Sequence, residues 1–287
     1  MAARRGGRSP LPEMREAETV TNTPATPAET APPPPGVDLA EIAEMVRHVL
    51  PEMPPVTAGG DKLGKYTDVW RWMAAAQYKQ KPDIRHPRIA LFMAPHGAYP
   101  EKQTGLAEAL KQLSSGTHAL SPLAQDANAD LQVYEMASES APRDFRQEAA
   151  LLAPDAAHAT SYGLMAVQPG IDLLVVAALN PAAENAGEKI LESIKSGTQP
   201  LEALLNYGGL DIAAIMGALI AARLAHIPVL LDGKGAAAAA AILQALRADA
   251  SLHTRNAAHI LEDKLHPQAG MGGALLIAFL KSLTKVG

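Results

Sequence analysis

Short apolar runs alternate with longer segments of helical length along the middle of the chain. The runs occupy residues 89–93, 131–136, 172–176 and 227–231, and all but the second are almost continuously apolar. Continuous apolar runs of this length are typical of parallel strands that are covered on both faces. We therefore predict an α/β fold in which helices flank a Rossmann-like parallel sheet.

Apolar residues at helical spacing predict the helices around this sheet. The first is predicted over 39–50, where Asp38 can cap it. The others are predicted over residues 66–77, 105–113, 210–225, 236–248 and 274–283. Those over 210–225 and 236–248 are rich in alanine, and small side chains allow a helix to pack close to a sheet or to another helix.

Residues 1–36 differ in composition from the rest of the chain. They are rich in Pro, Ala, Thr and Glu, include four consecutive prolines at 32–35 and contain almost nothing that could be buried. This composition predicts a disordered or polyproline-like tail, because burial cannot offset the entropy lost on ordering it. A ligand for a proline-binding partner is the functional alternative. The folded part, 37–287, is predicted to begin at about Val37.

The composition excludes several classes of function. The chain has 287 residues and no cysteine, which excludes disulfide frameworks, thiolate metal sites and cysteine nucleophiles. A formal net charge of −5 gives no electrostatic footprint for nucleic acid. No segment resembles a secretory signal, and the most apolar stretch, 212–222, is about half the roughly 20 residues that a membrane-spanning helix needs. We therefore expect a cytoplasmic protein without a nucleic-acid or membrane partner.

The turn after the fourth apolar run is the clearest candidate for chemistry. Open α/β sheets bind ligands at the carboxyl ends of their strands, and Asp232, Gly233 and Lys234 lie at such an end. Gly233 lets a ligand approach the backbone, while the helix start and Lys234 can hold an anion. The structural alternative is that the glycine makes a tight turn and Asp232 caps the helix.

Two glycine-rich turns leave a similar choice open. Gly208, Gly209 and Asp211 open the helix over 210–225 and fit either a simple helix start or a contact with a phosphate or ribose. The turn before the last helix fits either close backbone packing or a ligand, and its glycines are Gly270, Gly272 and Gly273.

Of the nine histidines, one is a site candidate and three others recur toward the C-terminal end. His96 and Gly97 follow the first strand, where the histidine is either a ligand-site residue or a satisfied loop residue. The other group is spaced six and seven residues apart, at His253, His259 and His266. Because a helical metal pair needs a different spacing, surface positions are favoured there, and we expect no metal and no cofactor.

Two of these segments resemble motifs of one enzyme family. Residues 208–217 read GGLDIAAIMG and residues 227–233 read IPVLLDG. They are similar in order and distance to GGLEIAA and VPVLLDG of the nicotinate-nucleotide:dimethylbenzimidazole phosphoribosyltransferases. Looser matches in the same order are KLGK at 62–65, the strand ending at Gly97, residues 114–134 and GMGGAL at 270–275. The resemblance covers about residues 40–287.

The resemblance implies both an architecture and a reaction. It implies a Rossmann-like domain, a small helical subdomain built from 37–80 and the last helix, and a homodimer. The implied reaction, which supplies the lower ligand of cobalamin, transfers phosphoribose from nicotinate mononucleotide to a benzimidazole nitrogen with inversion at the anomeric carbon. In the family, a glutamate accepts the proton of the incoming base and glycine-rich turns hold the phosphate. The implied partners are therefore a small nucleotide and an aromatic base.

Important acids of the family are replaced in this chain. The position of the proton-accepting glutamate falls on Ala269, and the acid after the third strand falls on Ala178. If catalysis survives, His96 or Glu184 is the candidate base. The candidate substrate-binding residues are Gly97, Gly208, Gly209, Asp211, Asp232, Gly233, Lys234, Gly270, Gly272 and Gly273.

Three functions remain open on these grounds. The first is a divergent phosphoribosyltransferase. The second is a catalytically silent homologue that binds a nucleotide or base, alone or as a regulatory subunit in a heteromer with an active paralogue. The third is a structural dimer whose proline-rich tail recruits partners.

Overall fold

In the part of the chain that the structure describes, five parallel strands form one sheet in the order β2-β1-β3-β4-β5. The structure is a computed structural model that describes residues 38–136, 142–261 and 269–287, so the predicted tail lies outside the described residues. The strands are β1 (Pro87–Met93), β2 (Asp130–Glu135), β3 (Leu173–Ala178), β4 (Val229–Asp232) and β5 (Thr254–Asn256). The predicted α/β class with a parallel sheet is confirmed. β5 is a strand that the hydrophobic pattern does not predict.

Helices cover both faces of the sheet. They are α1 (Leu39–His48), α2 (Thr67–Ala76), α3 (Leu106–Ser115), α4 (Leu120–Asp126), α5 (Ala153–Gly163), α6 (Ala182–Lys195), α7 (Pro200–Tyr207), α8 (Leu210–Leu224), α9 (Lys234–Leu246), α10 (Ala257–Ile260) and α11 (Met271–Val286). Short 3₁₀ helices lie at Asp61–Tyr66, Pro100–Gln103 and Leu164–Ala166. No helix among the described residues combines the length and the apolar character needed to cross a bilayer.

The alternation of side chains along the strands divides the core into two layers. In β3, Leu174 and Val176 contribute to the layer formed with α1, α5, α8 and α9, whereas Leu173 and Val175 contribute to the layer formed with α2, α4 and α11. Because successive residues of a strand point to opposite faces, Asp232 at the end of β4 lies on the α11 side of the sheet.

The segment before β1 is shared between these two layers. The carboxylate of Asp38 caps α1, as the sequence predicts, and α1 packs on α5 and α9. On the opposite face α2 packs on α11, with Trp70 and Trp72 buried. The grouping of 37–80 and the last helix into a subdomain of its own stays a prediction.

The helix α8 is buried on nearly all sides and crosses α5 at very short distance. A Cβ added at Gly217 of α8 would lie 1.9 Å from the carbonyl oxygen of Thr160 in α5. A Cβ added at Gly163 of α5 would lie 1.8 Å from the carbonyl oxygen of Ala214 in α8. Two glycines, one on each helix, therefore make this crossing possible. The crossing fixes the position of α8, whose first residue, Leu210, lines a smaller pocket beside His96.

Candidate functional site

A cleft of about 690 Å³ opens at the carboxyl ends of β3 and β4. Two carboxylates, Asp232 and Glu184, line it together with Lys234. The two alanines that replace acids of the resembling family, Ala178 and Ala269, line the same cleft. The sequence predicts a ligand site at this edge of the sheet, and the structure brings these candidate residues together there.

Asp232 is a largely buried carboxyl at the end of β4. Its Oδ2 accepts a hydrogen bond of 2.8 Å from the backbone N–H of Gly273, in the first turn of α11. Burial raises the pKa of Asp232 to about 6, and the nearby charge of Glu184 adds to the rise although the backbone N–H of Gly273 opposes it. A carboxyl with a pKa near the working pH can accept and release protons during a reaction.

Glu184 caps the N-terminus of α9 with its carboxylate. Its two oxygens accept the backbone N–H of Lys234 at 2.9 and 3.1 Å. The turn before α9 needs a glycine here, because Gly233 has a φ of 91° and a Cβ there would lie 2.3 Å from Oε1 of Glu184. The ammonium of Lys234 lies 3.0 Å from a carboxylate oxygen of Glu188. The sequence predicts an external anion at the start of α9. In the structure the carboxylate of Glu184 occupies this helix start instead.

His96 and Asp211 form a buried pair that does not line this cleft. The Nε2 of His96 lies 3.1 and 3.0 Å from the two carboxylate oxygens of Asp211. Burial lowers the pKa of His96, but the charge and the hydrogen bond of Asp211 outweigh it, so the net pKa is raised. A Cβ at Gly209 would lie 2.4 Å from the imidazole ring, so a glycine is needed beside the pair. Because Asp211 is completely buried, a direct contact with a phosphate or ribose would require this pair to open.

The remaining candidate glycines lie at close backbone contacts. A Cβ at Gly97 would lie 2.3 Å from the backbone of Arg143, and one at Gly208 would lie 2.5 Å from a carbonyl oxygen of α7. Both residues, with His96 and Gly209, line a smaller pocket of about 40 Å³.

The turn before α11 packs directly on the sheet. A Cβ at Gly270 would lie 2.8 Å from the side chain of Leu91, and one at Gly273 would lie 2.2 Å from that of Val175. Gly272 is buried as well. These contacts support close packing, one of the two explanations that the sequence leaves open for these glycines.

The prediction that the C-terminal histidines lie at the surface is wrong for His253. Its side chain is buried, its Nε2 lies 2.9 Å from the carbonyl oxygen of Leu219, and burial lowers its pKa to about 3. His259 is exposed, and His266 lies outside the described residues. Within the described residues no group of three or more His, Asp or Glu side chains could hold a metal ion.

Asn180 lines the cleft although the local sequence pattern does not predict it there. It is fully buried, and its Nδ2 donates to the carbonyl oxygen of Ala94 at 2.7 Å and to Oε1 of Gln103 at 2.8 Å. Its Oδ1 accepts the N–H of Ala182 at 3.0 Å and so helps to begin α6. The asparagine thereby joins the ends of β1 and β3 at the wall of the cleft. The available signal was an Asn-Pro pair directly after an apolar run.

Comparisons with known proteins identify the family to which this chain is similar. Residues 43–191 and 176–269 match a family model that is described as phosphoribosyltransferase. A nicotinate-nucleotide–dimethylbenzimidazole phosphoribosyltransferase from Methylocella silvestris is 27% identical over 79% of this chain and 83% of its own length. A protein of the same name from Brucella anthropi is 28% identical over 76% of this chain and 75% of its own length.

A solved structure shares the fold. The crystal structure of a nicotinate-nucleotide–dimethylbenzimidazole phosphoribosyltransferase from Thermus thermophilus has a TM-score of 0.65 to this chain at 19% identity. The match covers 87% of this chain and 96% of the other. The fold, the match to the family model and these relatives lead to one conclusion: the chain belongs to the nicotinate-nucleotide–dimethylbenzimidazole phosphoribosyltransferase family.

Proposed function

We propose that this protein transfers phosphoribose from nicotinate mononucleotide to a ring nitrogen of a benzimidazole-type base. The reaction is the one that yields the lower ligand of cobalamin. One observation carries the proposal: the cleft at the carboxyl ends of β3 and β4 holds a buried carboxyl, Asp232, beside the start of α9. The carboxyl suits a reaction that moves a proton, and the start of α9 can bind a phosphate when Glu184, whose carboxylate caps it, is displaced.

The dimensions and lining of the cleft support a ligand of this class. Its volume of about 690 Å³ lies within the usual range of small-molecule sites. Apolar side chains on its wall, Leu106, Leu179 and Ala258, suit a flat aromatic ring, while Asn256 and Lys102 offer polar contacts for a ribose or phosphate.

A direct assay of the purified protein tests the proposal. Incubation with nicotinate mononucleotide and dimethylbenzimidazole is expected to release nicotinate and to form α-ribazole phosphate, both followed by chromatography and mass spectrometry. A reaction without the base controls for simple hydrolysis, because hydrolysis would release nicotinate without the second product. Absence of both products would overturn the proposal.

A second candidate is a silent homologue that binds a nucleotide or base without turnover. The observation that favours it is Ala269, which lines the cleft where the resembling family has a proton-accepting glutamate. Calorimetry with nicotinate mononucleotide and with dimethylbenzimidazole separates the two candidates: binding without product formation supports the second, and binding with turnover supports the first. A regulatory heteromer with an active paralogue belongs to this second candidate.

The oligomeric state and location are part of the same proposal. Because of the family resemblance, we propose a cytoplasmic homodimer. Light scattering of the purified protein tests the dimer, and a monomeric mass would contradict it.

A further inference from the structure

The proposed transfer releases one proton, which a group in the cleft must accept. A ring nitrogen of the base attacks the anomeric carbon, and the bond from that carbon to the nicotinate nitrogen breaks with its electron pair remaining on nicotinate. The second ring nitrogen of the base then gives up its proton. General-base catalysis requires an acceptor within hydrogen-bond reach of that proton. Ala269 cannot serve, since its side chain is a methyl group.

Other titratable groups around the cleft are unsuited to this task. Both carboxylate oxygens of Glu184 are engaged by the N–H of Lys234, whereas the hydrogen bond from Gly273 engages Oδ2 of Asp232. His96 faces Asp211 outside the cleft. The Nδ1 of His118 accepts the N–H of Leu120 at 3.1 Å. In a neutral imidazole the other nitrogen then carries the hydrogen, so His118 has no unengaged ring nitrogen to accept a proton.

We propose that Asp232 is the proton acceptor of this protein and takes over the role of the glutamate missing at position 269. This inference rests on the proposed function. Both positions line the same cleft, so the acceptor has moved from the loop before α11 to the end of β4. The hydrogen bond from Gly273 to Oδ2 holds the carboxylate against the first turn of α11, close in sequence to Ala269.

The electrostatic setting of Asp232 suits this role. Burial raises its pKa to about 6, which makes it a stronger base than an exposed aspartate while leaving it mostly ionised at neutral pH. Strand pairing also fixes the backbone position of Asp232, because Asp232 pairs with Ala177 of β3 and the preceding residue, Leu231, pairs with Asn256 of β5.

The test combines a loss and a rescue. Asp232→Asn is expected to lower kcat about 100-fold or more and to remove the rise of kcat with pH near 6. Adding Ala269→Glu to Asp232→Asn restores the acid at the family position. The kcat of this double variant is expected to be at least tenfold higher than that of Asp232→Asn. Calorimetry with nicotinate mononucleotide checks that the variants still fold and bind. Glu192→Gln, an exposed carboxylate-to-amide change on α6 outside the cleft, is the matched control and keeps the wild-type rate.

The outcomes separate this inference from the proposed function. Transfer by the wild-type protein with an unchanged rate and pH profile in Asp232→Asn overturns the role of Asp232 alone. Loss of activity in Asp232→Asn without recovery in the double variant also contradicts a transferable proton acceptor. Absence of transfer by the wild-type protein overturns the proposed function and this inference together.

Discussion

Asp232→Asn is expected to stabilise the protein at neutral pH while it impairs the proposed reaction. In the unfolded chain the carboxyl has its ordinary pKa of 3.8, and in the folded protein burial raises this pKa to about 6. The folded state therefore binds the proton more tightly than the unfolded chain does. The contribution of the protonated Asp232 to the stability of the fold is complete below pH 3.8 and is lost as the pH rises through about 6. A difference of about two pKa units corresponds to about 3 kcal/mol. Asparagine removes the charge and keeps an oxygen that can accept the N–H of Gly273.

Urea unfolding at several pH values measures this effect. The free energy of unfolding of Asp232→Asn minus that of the wild-type protein is expected to increase by about 2–3 kcal/mol between pH 4 and pH 8. Taking the difference cancels the other titrating groups, which both proteins share. Glu192→Gln controls for the general loss of one carboxylate. A difference that does not change with pH would refute the raised pKa and the reasoning from burial.

Three further changes test other parts of the site and its support. Asp211→Ala leaves His96 buried without its carboxylate and is expected to cost about 3 kcal/mol, with a fall in the His96 pKa measurable by NMR titration. This pair stabilises the fold while His96 is protonated, so its contribution declines as the pH rises through the raised His96 pKa. Gly217→Ala is expected to cost at least about 3 kcal/mol in urea unfolding, whereas Gly105→Ala, with open space around its Cβ, changes stability by less than about 1 kcal/mol. Glu184→Gln weakens the internal cap of α9 and is expected to tighten binding of inorganic phosphate about threefold to tenfold in calorimetry; unchanged affinity would speak against competition at this helix start.

The sequence predicts the central strands well because their burial is complete. The apolar runs that become β1, β3 and β4 show their position directly in their composition. The three residues of β5, Thr254–Asn256, carry no such signal, since an edge strand this short is held by backbone pairing to β4. Local pattern therefore identifies the middle of the sheet and its β2 edge, and misses the β5 edge.

The candidate site is predictable in place but not in detail. Asp232 and Glu184 follow neighbouring strands, so their meeting at one edge follows from a parallel sheet. The direction of each carboxylate does not follow: Asp211 turns to His96 across 115 residues of sequence, and Glu184 turns to the start of α9. Such choices depend on which polar atoms are left without partners after the chain has packed, and no local pattern contains that information.

The burial of α8 on almost every side has a consequence for the order of events during synthesis. A segment with apolar surface all round is prone to aggregate until its neighbours cover it. Its neighbours α5, α6, β1 and β3 precede it in the chain, whereas α9 follows. As α8 leaves the ribosome, most of its neighbours have therefore already been made, whereas α9 and His253, which contacts the carbonyl oxygen of Leu219, are still to be translated.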